Sequence, residues 1–432
     1  MMTEKTKNEQ KLANSSSTPK KKKAIALSKL EANLFNQIFI SDEEDATRKF
    51  NQISKGKSIV DDNTDQMDVD RATGIHFQED ILMDILSCLP VQSILRFKCV
   101  SKFWETLTSE PYFKMKHFNH AKNNQDSQKL LFSQRCNGIF SMYSCPLSSI
   151  QLVENVQRLD CPPNPTPFGY KIHCCYDGLA LIEAADGFDA HEHSTLLLWN
   201  PSTRESIILP APEFTQKTTS RFGLGYDSTS GEYKILHIHQ DTSDCKLPNE
   251  ILALKGGSWR RVDKHPRDIF SPLFDKPSLP FVDAAFHWIG ISEDYRVVVS
   301  FSISNEVYGE ISLPEKMLSF RGTIGVSVLE GLLCVYTNSI RRTKETIHLW
   351  VLKEYGVKES WTSLLSIENP SIIIAIPRYR FADGEVLFWC GHVSKGVFRT
   401  RSGPFRRGPP CCIMLDGHPF KENLISPESL TY

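Results

Sequence analysis

Two histidine pairs at alternate positions, His191-Glu192-His193 and His237-Ile238-His239, have the best spacing for chemistry in this chain. On an extended strand, side chains two residues apart point the same way, so each pair would offer two imidazole nitrogens to one metal ion. A metal needs further donors, and no third ligand is legible beside either pair. Histidines in an exposed loop or on an edge strand give the same pattern. The 12 cysteines are the next candidates. Their spacing is irregular, Cys174-Cys175 and Cys411-Cys412 are adjacent pairs, and no paired C-x-x-C signature appears, so they read as reduced thiols. The sequence holds no G-x-x-x-x-G-K-[ST], no G-x-S-x-G and no H-E-x-x-H. No catalytic residue, metal site or cofactor is therefore expected. The basic run Arg399, Arg401, Arg406 and Arg407 reads as a solvated tail, or as a contact for acidic partners.

The elements that would carry binding residues begin at Phe77. Ile81, Leu82, Ile85, Leu86 and Leu89 fall three and four apart and share one helical face. Glu79 and Asp80 suit the positive end of that helix, Pro90 interrupts it, and Ser93 is placed to cap the next. The second pattern carries Ile94, Leu95, Cys99 and Val100, then Trp104 and Leu107, with Arg96, Lys98 and Lys102 on the wetter side. A module of about forty residues has difficulty burying so many apolar groups by itself. They serve either a partner protein or the rest of this chain. Each fully buried Leu, Ile or Val contributes roughly 1.5–3 kcal/mol before entropy is subtracted, so a handful suffices for a docking site.

The stretch from Phe77-Gln78-Glu79-Asp80-Ile81-Leu82 through Leu89-Pro90-Val91 to Trp104, running on to Pro111-Tyr112-Phe113 and His117-Phe118, resembles an F-box. The resemblance implies a helical module that holds a Skp-type adaptor and, through it, a cullin-based ubiquitin ligase. It assigns adaptor contacts to Ile81, Leu82, Ile85, Leu86, Leu89, Pro90, Val91, Leu95, Val100 and Trp104, some of which must instead hold the helices together. The family commonly opens on Leu-Pro where this chain has Phe77-Gln78.

Composition bounds the remainder. With 432 residues there is room for two or three domains, and 50 Lys and Arg against 51 Asp and Glu imply no general affinity for polyanions. Direct nucleic-acid binding is not expected. No apolar run approaches the roughly twenty residues of a membrane span, and the polar, lysine-rich N-terminus lacks the core of a secretory signal. The expected location is intracellular, in cytoplasm, nucleus or both, with no membrane partner. Residues 1–70 read as largely disordered, with Ser15 to Pro19, the lysines Lys20 to Lys23, and acidic stretches at Asp42 to Asp45 and Asp61 to Asp70. Leu27, Leu30, Leu34 and Ile38 mark a transient amphipathic helix between Ala24 and Ile40. The lysine run is either a nuclear import patch or a solvated tract.

Beyond a helical domain at 71–120 and a polar linker at 121–128, residues 129–425 read as mostly β. Asn137-Gly138 between Leu130-Leu131-Phe132 and Ile139 to Met142 suits a tight hairpin. Asp177-Gly178, Ser230-Gly231, Asp283-Ala284, Glu330-Gly331 and Asp383-Gly384 recur at intervals of 53, 53, 47 and 53, each before an apolar strand. A second series, Trp199, Leu252, Phe301 and Trp350, recurs at 53, 49 and 49. Further aromatic segments follow at Trp259, Tyr308 and Trp361. Several short strands in about fifty residues suit a propeller blade, and the region holds about six such units. An irregular β sandwich is the alternative. The expected fold is thus multi-domain, a small all-α module followed by an all-β, propeller-like domain.

Leu196 to Glu205 with its Asn200-Pro201-Ser202-Thr203 turn, then Ile208-Leu209-Pro210, Phe222 to Asp227, Tyr233 to Leu236, Val282 to Trp288, Phe301 to Pro314 and Ile347 to Leu352, resemble a plant F-box-associated interaction domain. Kelch repeats match less well, since the double glycine Gly256-Gly257 occurs once. The resemblance implies that the β domain recruits a target protein for ubiquitination, with the chain a non-catalytic receptor subunit. A scaffold that does not promote degradation is the alternative, followed by a propeller enzyme or ligand-binding protein. Target contacts are expected from loops, with Glu183 to Ser194, His239 to Glu250 and Pro266 to Pro280 as candidates.

Overall fold

The computed structural model describes residues 79–123, 127–136, 139–149, 156–160, 169–185, 194–213, 220–239, 248–263, 269, 278–292, 295–318, 320, 322–338, 346–368, 374–391, 396–400 and 412–431. The expectations for residues 1–70, for Phe77-Gln78 and for Asn137-Gly138 lie outside them. The described parts of Met1–Ile85 and Lys98–Leu107 form one compact unit, and those of Leu86–Phe97 and Thr108–Tyr432 another.

Four helices open the described chain: α1 (Glu79–Ser87), α2 (Val91–Lys98), α3 (Lys102–Ser109) and α4 (Pro111–Asn123). Proline ends α1 as expected, but the start of α2 differs from expectation. The Pro90 carbonyl accepts from the amides of Ser93 at 3.0 Å and Ile94 at 3.2 Å, which leaves Ser93 inside the helix instead of capping it. Ser101 opens α3, its hydroxyl accepting from the Trp104 amide at 3.4 Å and its carbonyl from Glu105 at 3.1 Å. Helix α4 starts on Pro111, which has no amide to leave unpaired at that position. Phe113, His117 and Ala121, four apart, form its buried stripe. The helix runs on to Asn123 and the first strand starts at Gln128, so the polar join is shorter than the 121–128 reading. The Lys122 carbonyl accepts from Lys421 Nζ at 3.1 Å, which ties the end of α4 to the last strand.

The strands of the larger unit form six antiparallel sheets among the described residues. Blade 1 joins Gln128–Cys136, Ile139–Pro146 and Gln157–Leu159 to Cys412–Lys421 from the far end of the chain. Blade 2 is Gly169–Tyr176, Leu179–Ala185, Ser194–Trp199 and Ser206–Ile208, and blade 3 is Ser220–Asp227, Glu232–His239, Asn249–Ala253 and Trp259–Val262. Blade 4 is Phe281–Val282, Ala285–Ile291, Arg296–Ser302 and Tyr308–Ser312, and blade 5 is Thr323–Leu329, Leu332–Asn338, Thr346–Leu352 and Trp361–Glu368. Blade 6 is Ile374–Arg380, Val386–Gly391 and Gly396–Arg399. This is a six-bladed propeller, and the sandwich alternative is not what the chain adopts. In blade 1, Gln128 pairs with Lys421 and Cys136 with Cys412, so the two ends of the propeller close one sheet and protect each other's edges.

The small-residue turns read from the sequence connect the first and second strands of blades 2 to 6. Asp177, Gly178, Gly231, Asp283, Ala284, Glu330, Gly331 and Gly384 all have positive φ, the backbone that tight hairpins require. At Gly178 the requirement is also steric: a Cβ would sit 2.2 Å from the Lys421 carbonyl oxygen.

The cores lie between blades, which explains the unbroken apolar strands. In blade 2, Leu179 and Leu181 join Leu196 and Leu198 in a cluster with Phe222, Leu224 and Ile235 of blade 3. Their alternates Ala180, Ile182, Leu197 and Trp199 pack the other way, against Leu131, Met142 and Phe420 of blade 1. Blade 5 repeats this, with Cys334 and Tyr336 facing blade 6 while Leu333 and Val335 face blade 4. Both faces of each such strand are dry, so no polar alternation remains to be read.

Aromatics at the outer strands clamp one blade to the last. Trp259 Nε1 donates to the Pro210 carbonyl at 2.8 Å, Tyr308 Oη to Asp263 at 2.7 Å, and Trp361 Nε1 to Ser312 at 2.9 Å. Each acceptor belongs to the end of the preceding blade. This accounts for the third aromatic series.

Candidate functional site

The ten residues expected to meet an adaptor differ in exposure. In the smaller unit, Ile81 is 44% and Val100 37% exposed, Leu82 and Ile85 are half-buried, and Trp104 is buried with its ring 5.7 Å from that of Phe103. In the larger unit, Pro90 is exposed and Leu95 half-buried, whereas Leu86, Leu89 and Val91 are buried. The latter three therefore serve the interior of this chain as it stands. Two contacts tie this segment down: His117 Nε2 meets the Leu89 carbonyl at 3.0 Å, and Gln92 Nε2 donates to Gln157 Oε1 of blade 1 at 3.1 Å. Burial holds the His117 imidazole below its ordinary pKa, so it stays neutral. The opposite side of α4 exposes Tyr112 and Met115, which the motif did not single out.

The propeller surrounds a central cavity of about 360 Å³ lined by the inner strands and by Phe118 and Lys122 at the end of α4. Arg378 and His418 on its wall share a carboxylate. Arg378 Nη2 donates to Asp416 Oδ1 at 3.1 Å, and His418 Nε2 lies 3.1 Å from Oδ2. Burial by itself would raise the Asp416 carboxyl, but His418 and Arg378 hold it down at about 2. Arg378 and Asp416 thus form a fixed charge pair, on a wall that mixes Leu224, Phe281 and Ile376 with Lys122, Asp177 and Lys421.

Seven of the cysteines have described side chains. Cys88, Cys99, Cys145, Cys174, Cys175, Cys334 and Cys390 are free, and burial pushes Cys174 up to about 12 and Cys145 to about 11. Such thiols are poor nucleophiles near neutrality. Arg399 corrects the tail reading: it lies in blade 6, stacks 3.9 Å over the Phe381 ring and pairs with Asp383 and Glu385. Two acids and an aromatic face make it an internal clamp.

The histidine pairs divide. His191 and His193 lie outside the described residues, while His237 and His239 correct the expectation of an exposed loop or edge strand. They sit in the second strand of blade 3, 2% and 3% exposed. Glu250, at the end of a stretch that read as a loop, is 1% exposed on the next strand, directly opposite His237. Its Oε2 lies 3.1 Å from His237 Nδ1 and 3.5 Å from His239 Nε2, and its Oε1 accepts from the Glu213 amide at 2.9 Å. Burial keeps His237 neutral, and although burial alone would raise Glu250, these bonds hold it ionised. Only the cross-strand register could have revealed this third group. Most of the candidate target loops lie outside the described residues. Of their ends, Glu183, Ser194, His239 and Glu250 belong to strands and Leu279 is buried.

Comparison with known proteins decides the family. The F-box domain model matches residues 76–116, and the F-box associated beta propeller domain model matches residues 129–395, more than half of the chain. The chain belongs to the F-box associated beta propeller family. Its similar proteins are plant F-box proteins. F-box protein CPR1 of Arabidopsis thaliana is 26% identical over 323 residues, covering 68% of this chain and 73% of its own. An F-box/kelch-repeat protein of the same plant is 22% identical over 361 residues, covering 81% and 96%. Among solved structures, TolB from Acinetobacter baumannii is similar at a TM-score of 0.37 and 8% identity, over 65% of this chain and 67% of that one. An F-box followed by a β-propeller is the make-up of a substrate-recognition subunit of a Skp-cullin-F-box assembly. Among the described residues no helix is long and apolar enough to cross a membrane.

Proposed function

We propose that this chain is a non-catalytic receptor subunit of a Skp-cullin-F-box ubiquitin ligase, which binds the adaptor through its helices and presents a target protein held by the propeller for ubiquitination. The observation that carries the reading is the joining, in one chain, of an F-box that keeps Ile81 and Val100 exposed to a closed propeller. Apolar side chains left in water on a small helical module are a standing cost that a partner's surface relieves, at about 25 cal/mol per Å² covered. Catalysis would be confinement: a target lysine held near charged ubiquitin reacts at a raised effective concentration, while other subunits supply the transfer chemistry.

The burial of Leu86, Leu89 and Val91 directs the test to the exposed positions. Ile81→Asp with Val100→Asp should abolish co-purification of a Skp-type adaptor and leave the melting temperature unchanged. Full retention of adaptor by the folded variant would remove the basis for the ligase reading. In a reconstituted ligase, ubiquitin transfer to a captured target should depend on the same two residues. A target captured but never modified would favour the scaffold alternative. The proposed site of action is the cytoplasm or the nucleus.

A further inference from the structure

His237, His239 and Glu250 form a constellation that the proposed adaptor contacts do not use. Three potential ligand atoms, one from each residue, lie within 4.8 Å of one another inside blade 3. We propose that these three side chains bind a divalent transition metal of the zinc class, with His237 Nδ1, His239 Nε2 and one Glu250 oxygen as ligands and further coordination left to water or a bound molecule. The distances fit. Zinc bonds of about 2.0–2.1 Å set tetrahedrally put neighbouring ligand atoms about 3.3–3.4 Å apart, and the two measured separations from Glu250 Oε2, 3.1 and 3.5 Å, fall on either side of that edge.

The support around the three residues is that of a prepared site. The alternate positions 237 and 239 send both imidazoles to one side of the strand, and the antiparallel register brings Glu250 directly opposite the first. The Glu213 amide occupies the other carboxylate oxygen, which orients Oε2 as outer partners of metal-bound carboxylates do. Phe222 lies parallel to the His237 ring with centroids 4.1 Å apart, and Trp259 meets its edge at 6.0 Å, so the imidazole has little freedom to turn. Two imidazoles and one carboxylate select zinc, cobalt or nickel over magnesium or calcium, which favour oxygen-only sets. The ion would cross-link the second and third strands of blade 3.

The test uses the full-length chain, stripped with chelator and titrated with Co²⁺ followed by visible absorption. The expected result is saturable binding of about one equivalent with d–d bands, no thiolate charge-transfer band and displacement by Zn²⁺. Glu250→Gln and His239→Asn should each weaken binding at least about tenfold, the loss that even outer partners command. The proposal is overturned if the wild-type chain shows no saturable uptake, if thiolate bands dominate, or if Glu250→Gln binds as tightly as wild type. The cobalt spectrum of the wild-type chain keeps the test decisive should either variant fail to fold. None of these readouts depends on adaptor or target binding.

Discussion

Replacing Asn200 by Ala should loosen the closure of the propeller, because this one side chain holds two distant segments at once. Its Oδ1 accepts from the Ser202 amide at 2.8 Å and shapes the Asn-Pro-Ser-Thr turn, while its Nδ2 donates to Asn423 Oδ1 at 2.7 Å and to the Ile425 carbonyl at 2.8 Å. Asn200 and Asn423 are both fully buried. Each of these three bonds is worth about 1 kcal/mol net, with more lost where the abandoned partner stays dry, so the change should cost about 3–5 kcal/mol. At about 2.1 cal/mol/K of unfolding entropy per residue, a propeller of about 300 residues would melt roughly 5–8 °C lower. Differential scanning calorimetry of the full chain measures this directly. A double mutant with Asn423→Ala sharpens the test, since the two residues share a bond: the combined loss should fall short of the sum by about 1 kcal/mol. A shift under about 1 °C for Asn200→Ala, or strict additivity in the double mutant, would refute the tether.

Two further outcomes follow from single side chains. Burial pushes His287 down to about 4, and its Nε2 meets Tyr355 Oη at 2.7 Å. The unfolded chain takes up that proton first, near pH 6.5, so stability should fall as pH drops from about 6.5 towards 4, by about 1.4 kcal/mol per pH unit. His287→Gln should make the melting temperature fall less steeply as pH drops over that window, with His173, also pushed down to about 4, keeping part of the slope; an unchanged slope would show that His287 is not responsible. Trp361→Phe keeps an aromatic ring but withdraws the donor from the Ser312 carbonyl, at an expected cost of about 1 kcal/mol, against about 3–5 kcal/mol for Trp361→Ala. Denaturant titration of the two variants distinguishes clamp from filler: no loss for Trp361→Phe would mean that the hydrogen bond contributes nothing, and equal losses would mean that the ring adds nothing.

The periodic features were legible because propeller blades are built from local pairings. Asp177-Gly178 and its counterparts need positive φ, and that demand selects small or turn-forming residues wherever first and second strands meet. The unbroken run Leu196-Leu197-Leu198-Trp199 was equally readable, because both faces of its strand are dry. Ser93 misled because a preceding proline carbonyl can take the first bond of a helix without any side-chain cap. Arg399 misled because the acids that hold it lie outside the basic run that drew attention to it. His237 and His239 misled in the same way, as burial is a property of neighbouring blades and leaves no mark on a two-residue spacing.

Residue order alone determined the helical module, the repeat of about fifty residues and the turns between strands, since each depends on groups a few positions apart. Tertiary structure decided which apolar side chains of the F-box are spent on this chain's own interior, that strand Cys412–Lys421 completes blade 1, and that Glu250 faces the His237 pair. Those outcomes depend on which distant segments the ring closure brings within reach of one another, and the contacts it creates span up to hundreds of positions, where no local pattern can encode them.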